Sequence, residues 1–587
     1  NKFFPNIAVG LDDFSGTGLF SKEYIVTTLN YNNIKTSFGV GWGKFVGENS
    51  FENPLSKISS KLSVRPDYIL SEEGAYAGTP TYDKWFRGDI GLFGGIEYVI
   101  PKNNKIRFKM EYDPFDYTDF TANIQRGAIE ELRKKDSNVN IGISYIVNDY
   151  FSFDASFIKG NTFNLSFSIG LVFNRNLTNK NKFVPEVTKN FKETGSKKIF
   201  YEELLINLNK NKLFLQSANI DNENNLKISI ATSEHRNAIR SSSYASSISS
   251  KVAHLNDIEI DTINVSHINA GIELNNIKYY EDYFQKDFDT PFEVMIRNTK
   301  LNPGIPTKYN EDEFKPRVIY PAIFNSISPQ IINHIGYPAK FYFGGLDLQF
   351  SSEIQFSKNL LLTLQMSQPI YSNFDKAVSR PDSIIENVRT RIIKYLQEDD
   401  IHIDRMQIDY IWSPYGNIYA KFSGGIFEPM FGGIGGQVLY KPFKNNFYLG
   451  AELFEVKQRS YEQRFAFNDY STTTGHINLG YIFAKDIRLN LSFGRYLAKD
   501  DGYTLDLSRE TESGFKSGVY FTRTNIPARV FGEGSFDKGF YFEFPLDLFS
   551  KNYTASSSSF KLSPLTRDGV AKLIFVKDLH GLCNSST

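Results

Sequence analysis

The feature that most constrains this chain is a period-two alternation with aromatic residues on one side of it. Between Lys105 and Tyr112, Ile106, Phe108, Met110 and Tyr112 alternate with Lys105, Arg107, Lys109 and Glu111. Between Asn164 and Phe173, Leu165, Phe167, Ile169, Leu171 and Phe173 alternate with Asn164, Ser166, Ser168 and Gly170. Successive side chains of a strand point to opposite faces, so these runs set one face in an apolar medium and the other in a polar one. Thr36, Phe38, Val40 and Trp42 oppose Ser37, Gly39, Gly41 and Gly43, a stripe of small residues of the kind found where strands bend or crowd. Alternation resumes near Phe341 and reaches Phe549, cleanest over Phe540–Leu548, with further runs over Phe515–Thr522 and Leu489–Gly494. No run of about 18 apolar residues is present, which excludes a transmembrane helix. Apolar mass is carried by 52 Phe and 34 Tyr beside 5 Met and 3 Trp, and mean hydropathy is −0.34. Long aromatic strands in so polar a chain favour membrane barrels over a soluble sandwich with one wet face.

The 587 residues allow roughly two to four domains at about 150 residues each. The expected fold is mainly β: two tandem outer-membrane antiparallel β-barrels joined by a small α/β domain, which the resemblance given below makes periplasmic. Residues 1–175 read as the N-terminal barrel, with about eight strands, and 176–199 as a polar linker around Pro185. Residues 200–280 read as an α-β-β-α-β-β domain: a helix over Tyr201–Asn209, strands over Lys212–Gln216 and Asn225–Thr232, a helix over Ala238–Leu255, then strands near Ile258–Val265 and Gly271–Ile277. The serines between Ser241 and Ser250 make a solvated or small-residue face of that second helix. Residues 281–339, with Pro291, Pro303, Pro306, Pro316 and Pro321, suit a connector. Residues 340–550 read as the C-terminal barrel of about twelve strands. It is interrupted at about 379–404 by a helical insert spaced on Ile384, Val388, Ile392 and Tyr395. Residues 551–587 are a final strand and tail.

Lys+Arg and Asp+Glu both total 66, so the basic excess of a nucleic-acid binder is missing and no nucleic-acid partner is expected. A single cysteine, Cys583, excludes a disulfide framework and a cysteine zinc site. The seven histidines form no His-Glu-x-x-His pair, no Gly-Lys-Ser/Thr follows the glycines of Gly432–Gly436, and no Gly-x-Ser-x-Gly elbow occurs. No enzyme, cofactor or metal signature stands out. The chain opens Asn1-Lys2-Phe3-Phe4-Pro5, as a mature form would after removal of an export signal. What stands out is a charged C-terminal run in which Arg495, Arg509 and Lys538 face the choice of Asp506, Glu533 and Asp537 as partners. On the polar face of neighbouring strands they would form an ion network fixing register or narrowing a lumen. In loops they would be surface salt bridges.

The same region carries a resemblance. Gly494-Arg495-Tyr496-Leu497-Ala498-Lys499-Asp500-Asp501-Gly502-Tyr503, Phe531-Gly532-Glu533-Gly534-Ser535-Phe536-Asp537-Lys538-Gly539 and Ser563-Pro564-Leu565-Thr566-Arg567-Asp568-Gly569 resemble signatures of the YjbH/GfcD-like family. Gly425-Ile426-Phe427-Glu428-Pro429-Met430-Phe431 and, upstream, Gly39-Val40-Gly41-Trp42-Gly43 and Phe93-Gly94-Gly95-Ile96-Glu97-Tyr98 fit it as well. The resemblance implies an outer-membrane protein of exopolysaccharide or capsule export, often lipid-anchored in its family at a cysteine that Asn1 is not. It implies two barrels with periplasmic α/β structure between them, and a passive polar lumen that guides a glycan. The implied partners are outer-membrane lipids, polysaccharide and periplasmic or inner-membrane export machinery. A general porin, and a plugged-barrel scaffold recruiting periplasmic partners, remain the alternatives. The resemblance carries over no catalytic residue.

Overall fold

The structure, a computed structural model, describes residues 5–14, 21–47, 49–66, 82–115, 135–148, 151–170, 180, 185–232, 234–283, 300–303, 314–317, 320–337, 340–377, 384–442, 445–484, 486–531, 536–562 and 568–584. The chain divides into two compact units, Asn1–Val172 with Pro527–Phe536, and Phe173–Ile526 with Asp537–Thr587. Among the described residues no helix is long and apolar enough to cross a membrane.

In the first unit eight strands, from β1 (Asn6–Asp12) to β8 (Thr162–Ile169), pair antiparallel in sequence order. Phe38, Phe108, Met110, Phe153, Leu165 and Phe167 stand exposed along this sheet. On its other face the stripe of small residues makes room for rings. A Cβ on Gly39 would lie 2.4 Å from the Phe93 ring, which itself stacks on Phe45 with centroids 4.3 Å apart. The segment after β3 (Ile34–Gly43) folds back there, and Arg65 grips the buried Glu23 with nitrogens 2.6 and 2.9 Å from its two oxygens.

The second unit opens with the α/β domain. Strands β9 (Leu213–Ile220), β10 (Asn225–Thr232), β11 (Thr262–Asn269), β12 (Ile272–Tyr280) and β13 (Lys300–Pro303) form a sheet in the order β13-β12-β11-β10-β9, with α1 (Lys197–Lys210) and α2 (Ala238–Leu255) packed on it. Only β10 and β11 pair in parallel, and α2 is the crossover between them. Asn237 starts α2 by accepting from the Arg240 backbone N–H at 3.0 Å. The serine face of α2 is buried, not solvated. Ser242 and Ser249 donate to the carbonyls of Ala238 and Ala245, so small hydroxyls satisfied within the helix let Ile248 and Val252 reach the core. The element order is the expected one; the last two strands begin later than the hydrophobic runs indicated, at Thr262 and Ile272.

Thirteen strands follow, from β14 (Ala322–Tyr337) to β26 (Ser557–Leu562), again antiparallel in sequence order. Three expected boundaries move. The sheet begins at Ala322, inside the expected connector, and β14 runs through Pro329, a residue that sheets accept on their edge strands. The strand expected to reach Leu548 stops at Pro545 and turns into a 3₁₀ turn, Leu546–Leu548. The insert is helical only over Ile392–Leu396, since β17 (His402–Tyr415) takes its end; residues 378–383 of it lie outside the described residues. The glycines of Gly432–Gly436 lie in β19 (Phe431–Tyr440), where a Cβ on Gly433 would come within 2.1 Å of the Glu455 carbonyl oxygen. Close strand approach, not phosphate binding, accounts for them.

The two ends of the larger sheet differ. At one, connections are mostly short: 356–359, 416–417, 441–446, 484–486 and 511–515, with 546–556 the longest. At the other lie 338–339, 427–430, 460–466 and 496–500 and the two longest connections of the sheet, 373–401 and 525–536. The α/β domain docks at the short-turn end. Arg236 donates to the Ser513 carbonyl at 3.2 Å and to Asp547 at 2.7 Å, and Lys180 donates to the carbonyls of Asp547 and Ser550.

Candidate functional site

The larger sheet has an apolar and a polar face, set by strand parity. On β17, Met406, Ile408 and Tyr410 are exposed, whereas Arg405, Gln407 and Asp409 between them are 5%, 1% and 1% exposed. On β22 (Ile487–Arg495) and β23 (Asp501–Glu510), Phe493, Tyr503, Leu505 and Leu507 are exposed, and Ser492 and Ser508 are buried. So many polar groups are buried only where something covers and bonds them. The cover is the chain's own C-terminal tail, residues 568–584.

The tail runs along the polar face from end to end. At the long-connection end the Asp568 carboxylate accepts from the backbone N–H groups of Arg389 and Thr390 at 2.7 and 2.8 Å. The Leu497 N–H donates to the Ala571 carbonyl, and Lys572 Nζ reaches Ser492 Oγ at 2.8 Å. Next, Arg405 donates to the Ile574 carbonyl at 3.2 Å, and Lys421 Nζ to the Lys577 carbonyl at 2.5 Å. Lys577 Nζ pairs with Glu353 at 2.7 Å, and Gln437 donates to both Asp578 and Glu452 at 3.0 Å. At the short-turn end the His580 ring packs on Tyr448, centroids 4.2 Å apart, and Asn269 of the α/β domain donates to the Leu582 carbonyl. These partners come from β15 (Lys340–Gln355), β17, β18 (Ile418–Ile426), β19, β20 (Phe447–Arg459) and β22, so the sheet curls around the tail.

The wall beneath the tail is itself bonded in series. Arg405 donates to Gln407 at 2.8 Å, Gln407 to Asp409 at 2.7 Å, and Ser423 to Asp409 at 2.5 Å, with Lys421 Nζ 4.0 Å away. Asp409 thus faces donors from two strands and a cation, which suits a buried carboxylate. Apolar clusters close the two ends. Val388, Phe427, Phe431, Phe454 and Leu497 pack with Leu573 and Phe575 at one, the Phe454 and Phe575 rings 4.7 Å apart. At the other, Ile272 and Leu274 of β12 join Leu361, Ile411, Leu439 and Leu579.

Of the six residues expected to form an ion network, the five that the structure describes are not brought together. Arg495 and Arg509 are exposed on the apolar face, paired at 2.8 Å with Asp501 and Asp486 respectively. Lys538 stands opposite Phe521 on that same face. Asp506 points inward, accepting from Tyr541 at 3.0 Å and Asn490 at 3.3 Å, and Asp537 is buried opposite Thr522. Glu533 lies outside the described residues. Parity is the reason: Asp506 and Arg509 stand three apart on one strand, which puts them on opposite faces. The polar wall that does form was marked by Arg405-x-Gln407-x-Asp409 and Lys421-x-Ser423, charged and polar residues spaced by two among aromatic ones.

The α/β domain holds a separate buried group. His267 Nε2 lies 2.7 Å from Ser241 Oγ, and its Nδ1 2.7 Å from Asn275 Oδ1. Burial pushes the imidazole down to about 4, against the opposing pull of Asn275. Both neighbours are themselves fully buried, and Ser241 also donates to the Ala238 carbonyl at 3.1 Å. The triad-like geometry therefore serves packing. Among the described residues no cluster of three or more His, Cys, Asp or Glu could hold a metal ion.

The chain matches the YjbH family, described as "Exopolysaccharide biosynthesis protein YbjH", over residues 1–585. It is similar to "Uncharacterized lipoprotein YjbH" of Escherichia coli strain K12, at 29% identity over 97% of this chain and 80% of that one. Among solved structures it is similar to a loop L8 deletion mutant of OmpT, an outer membrane protein of Vibrio cholerae, at 8% identity and a TM-score of 0.21, covering 41% of this chain and 93% of that one. Salmonella typhi OmpF in complex with daunomycin matches at 10% identity and a TM-score of 0.21, over 41% and 96% of the two chains. By a family match that spans nearly every residue, the chain belongs to the YjbH family of exopolysaccharide biosynthesis proteins.

Proposed function

We propose that this chain is an outer-membrane protein of exopolysaccharide or capsule secretion in which both large sheets stand as barrel walls and the larger barrel is held shut by residues 568–584. The observation that carries the reading is the tail on the polar face, with an exposed apolar band on the opposite face. The short-turn end, where the α/β domain docks, faces the periplasm in this reading, because outer-membrane barrels keep short turns on that side and longer loops outside. The domain then serves as the docking point for periplasmic or inner-membrane export machinery.

An unobstructed general porin is the reading the tail argues against. Guidance of a glycan through the larger barrel requires the tail to move. The lining it would uncover, Ser, Thr, Gln and Tyr side chains among the charges of Arg405, Lys421, Asp409 and Glu452, offers hydrogen-bond donors and acceptors along its length. Outer-membrane lipids and polysaccharide are the partners that follow. The test is deletion of the gene, with surface and periplasmic polysaccharide both assayed and the full chain supplied in trans. Loss at the surface with accumulation in the periplasm is expected. Unchanged surface polymer would overturn the proposal.

A further inference from the structure

A pocket of about 110 Å³ opens at the long-connection end of the larger sheet, beside the apolar cluster in which the tail packs. The sheet wall there is deformed twice. Between β15 and β16 (Leu360–Ser372), Leu346 pairs with Tyr371 but Asp347 with Pro369, leaving Ile370 as an extra residue. Between β16 and β17, Gln365 pairs with Arg405 but Met366 with Ile403, leaving Asp404 as an extra residue. Bulges of this kind re-aim side chains and gather beside binding sites.

Both deformations bring a carboxylate to the pocket, and the two carboxylates differ. Asp404 is committed: it accepts from Ser367 at 2.5 Å and Gln349 at 3.0 Å and faces His402 Nε2 at 3.3 Å. Asp347 is 4% exposed and, among the described residues, interacts with the charges of His402 and Asp404 without a hydrogen-bond donor of its own. A buried carboxylate without donors is costly, and the cost is recovered when a ligand brings them. Ile392, Leu396 and Pro429 give the pocket an apolar wall, while Tyr395, with its hydroxyl on the Arg459 carbonyl at 2.6 Å, is only 2% exposed. Glu398 adds a further carboxylate to the lining.

An apolar wall facing carboxylate acceptors matches a pyranose, whose C–H face packs on apolar side chains while its hydroxyls donate. We propose that this pocket binds one sugar unit of a glycan without acidic groups, Asp347 accepting from vicinal hydroxyls or from the ammonium of an amino sugar. Uronates and phosphorylated sugars are refused, since they would set like charges side by side. The inference rests on the polysaccharide reading above and narrows it to a class of glycan.

The test is calorimetric titration of the full chain in detergent with cellotetraose, a fully deacetylated chitosan tetramer and tetragalacturonate. Binding of cellotetraose or the chitosan tetramer is expected, and none of tetragalacturonate. Cellotetraose binding assigns the donors to hydroxyls, and binding of the chitosan tetramer alone assigns them to an ammonium. Asp347→Ala should weaken binding by about tenfold or more, the loss expected for a hydrogen bond to a charged group. Glu398→Gln, outside the strands, should weaken it as well and remains readable if Asp347→Ala does not fold. Failure of both neutral and amino tetramers to bind, equal binding of tetragalacturonate, or native affinity in the folded variants would overturn the proposal. A strain lacking the gene separates this failure from that of the secretion reading: lost surface polymer with no pocket affinity sinks the pocket alone.

Discussion

At Glu428 the wall, the insert and the tail meet. This side chain is 1% exposed and accepts from Arg389 at 2.6 and 3.2 Å and from the Ile574 N–H at 3.1 Å. Arg389 in turn donates to the Lys572 carbonyl at 2.7 Å. Removing one member of a buried pair strands the other charge, at about 3–5 kcal/mol. Arg389→Met should therefore lower the unfolding temperature of the full chain in detergent and open the tail to protease, whereas Glu428→Gln, which keeps shape and one acceptor, should cost less. Native-like melting and protection in Arg389→Met would remove the pair from the account. His267 makes a pH prediction. Its folded value, about 4, lies below the roughly 6.5 of an unfolded histidine, so between those values the unfolded chain holds a proton that the folded one refuses. Stability of the α/β domain should fall as pH falls through that window, by up to about 3 kcal/mol, and level off below it. Hydrogen exchange of α2 in the full chain, corrected for intrinsic rates, measures this; His267→Gln should flatten the slope, and an unchanged slope would rule His267 out as its source. At this scale the sequence was half legible. The charged residues near Arg495 drew attention as a cluster, yet counting parity along β23 separates Asp506 from Arg509 without any structure. The tail's bonds to Lys421 and Gln437 span 156 and 141 residues, and no local pattern encodes such a pairing.

Strands were the most legible elements, because an apolar face and a wet face leave a period of two in the sequence. The ends of strands were less so. Pro329 and Pro545 look alike in sequence, but one lies within the edge strand β14 and the other ends β25 (Asp537–Pro545), a difference set by neighbouring strands. The bulges at Ile370 and Asp404 were equally hidden, since an extra residue shows only against its partner strand. The apolar band on β22 and β23 is bounded by Arg495–Asp501 at one rim and Arg509–Asp486 at the other, with Phe493, Tyr503, Leu505 and Leu507 between. If that band faces lipid, Leu505→Arg should destabilise the chain in bilayers by about 2–4 kcal/mol. Arg495→Ala and Arg509→Ala should change stability little, because exposed ion pairs are screened by water. Denaturant titration in lipid vesicles reads all three; a harmless Leu505→Arg would mean that the band is not in the membrane.

For the whole molecule, alternation with one change of texture near residue 200 separated two β regions from an α/β domain. That pattern could not reveal that the polar face of the second region is covered by the tail. The covering residues are few, polar and ordinary, and their meaning lies in where the fold sends them. The tail is anchored at Asp568, bonded along the wall at Ile574, Lys577 and Asp578, and seated at Leu579 against residues that also meet the α/β domain. The tail's end and the α/β domain thus share one apolar cluster, and under the proposed function a movement of that domain would reach the tail. The most direct measurement is single-channel conductance in planar bilayers, comparing the full chain with a chain ending at Arg567. The account predicts a silent full chain and stable conducting steps from the truncated one. Large steady conductance from the full chain, or a properly folded truncated chain that stays silent, would contradict it.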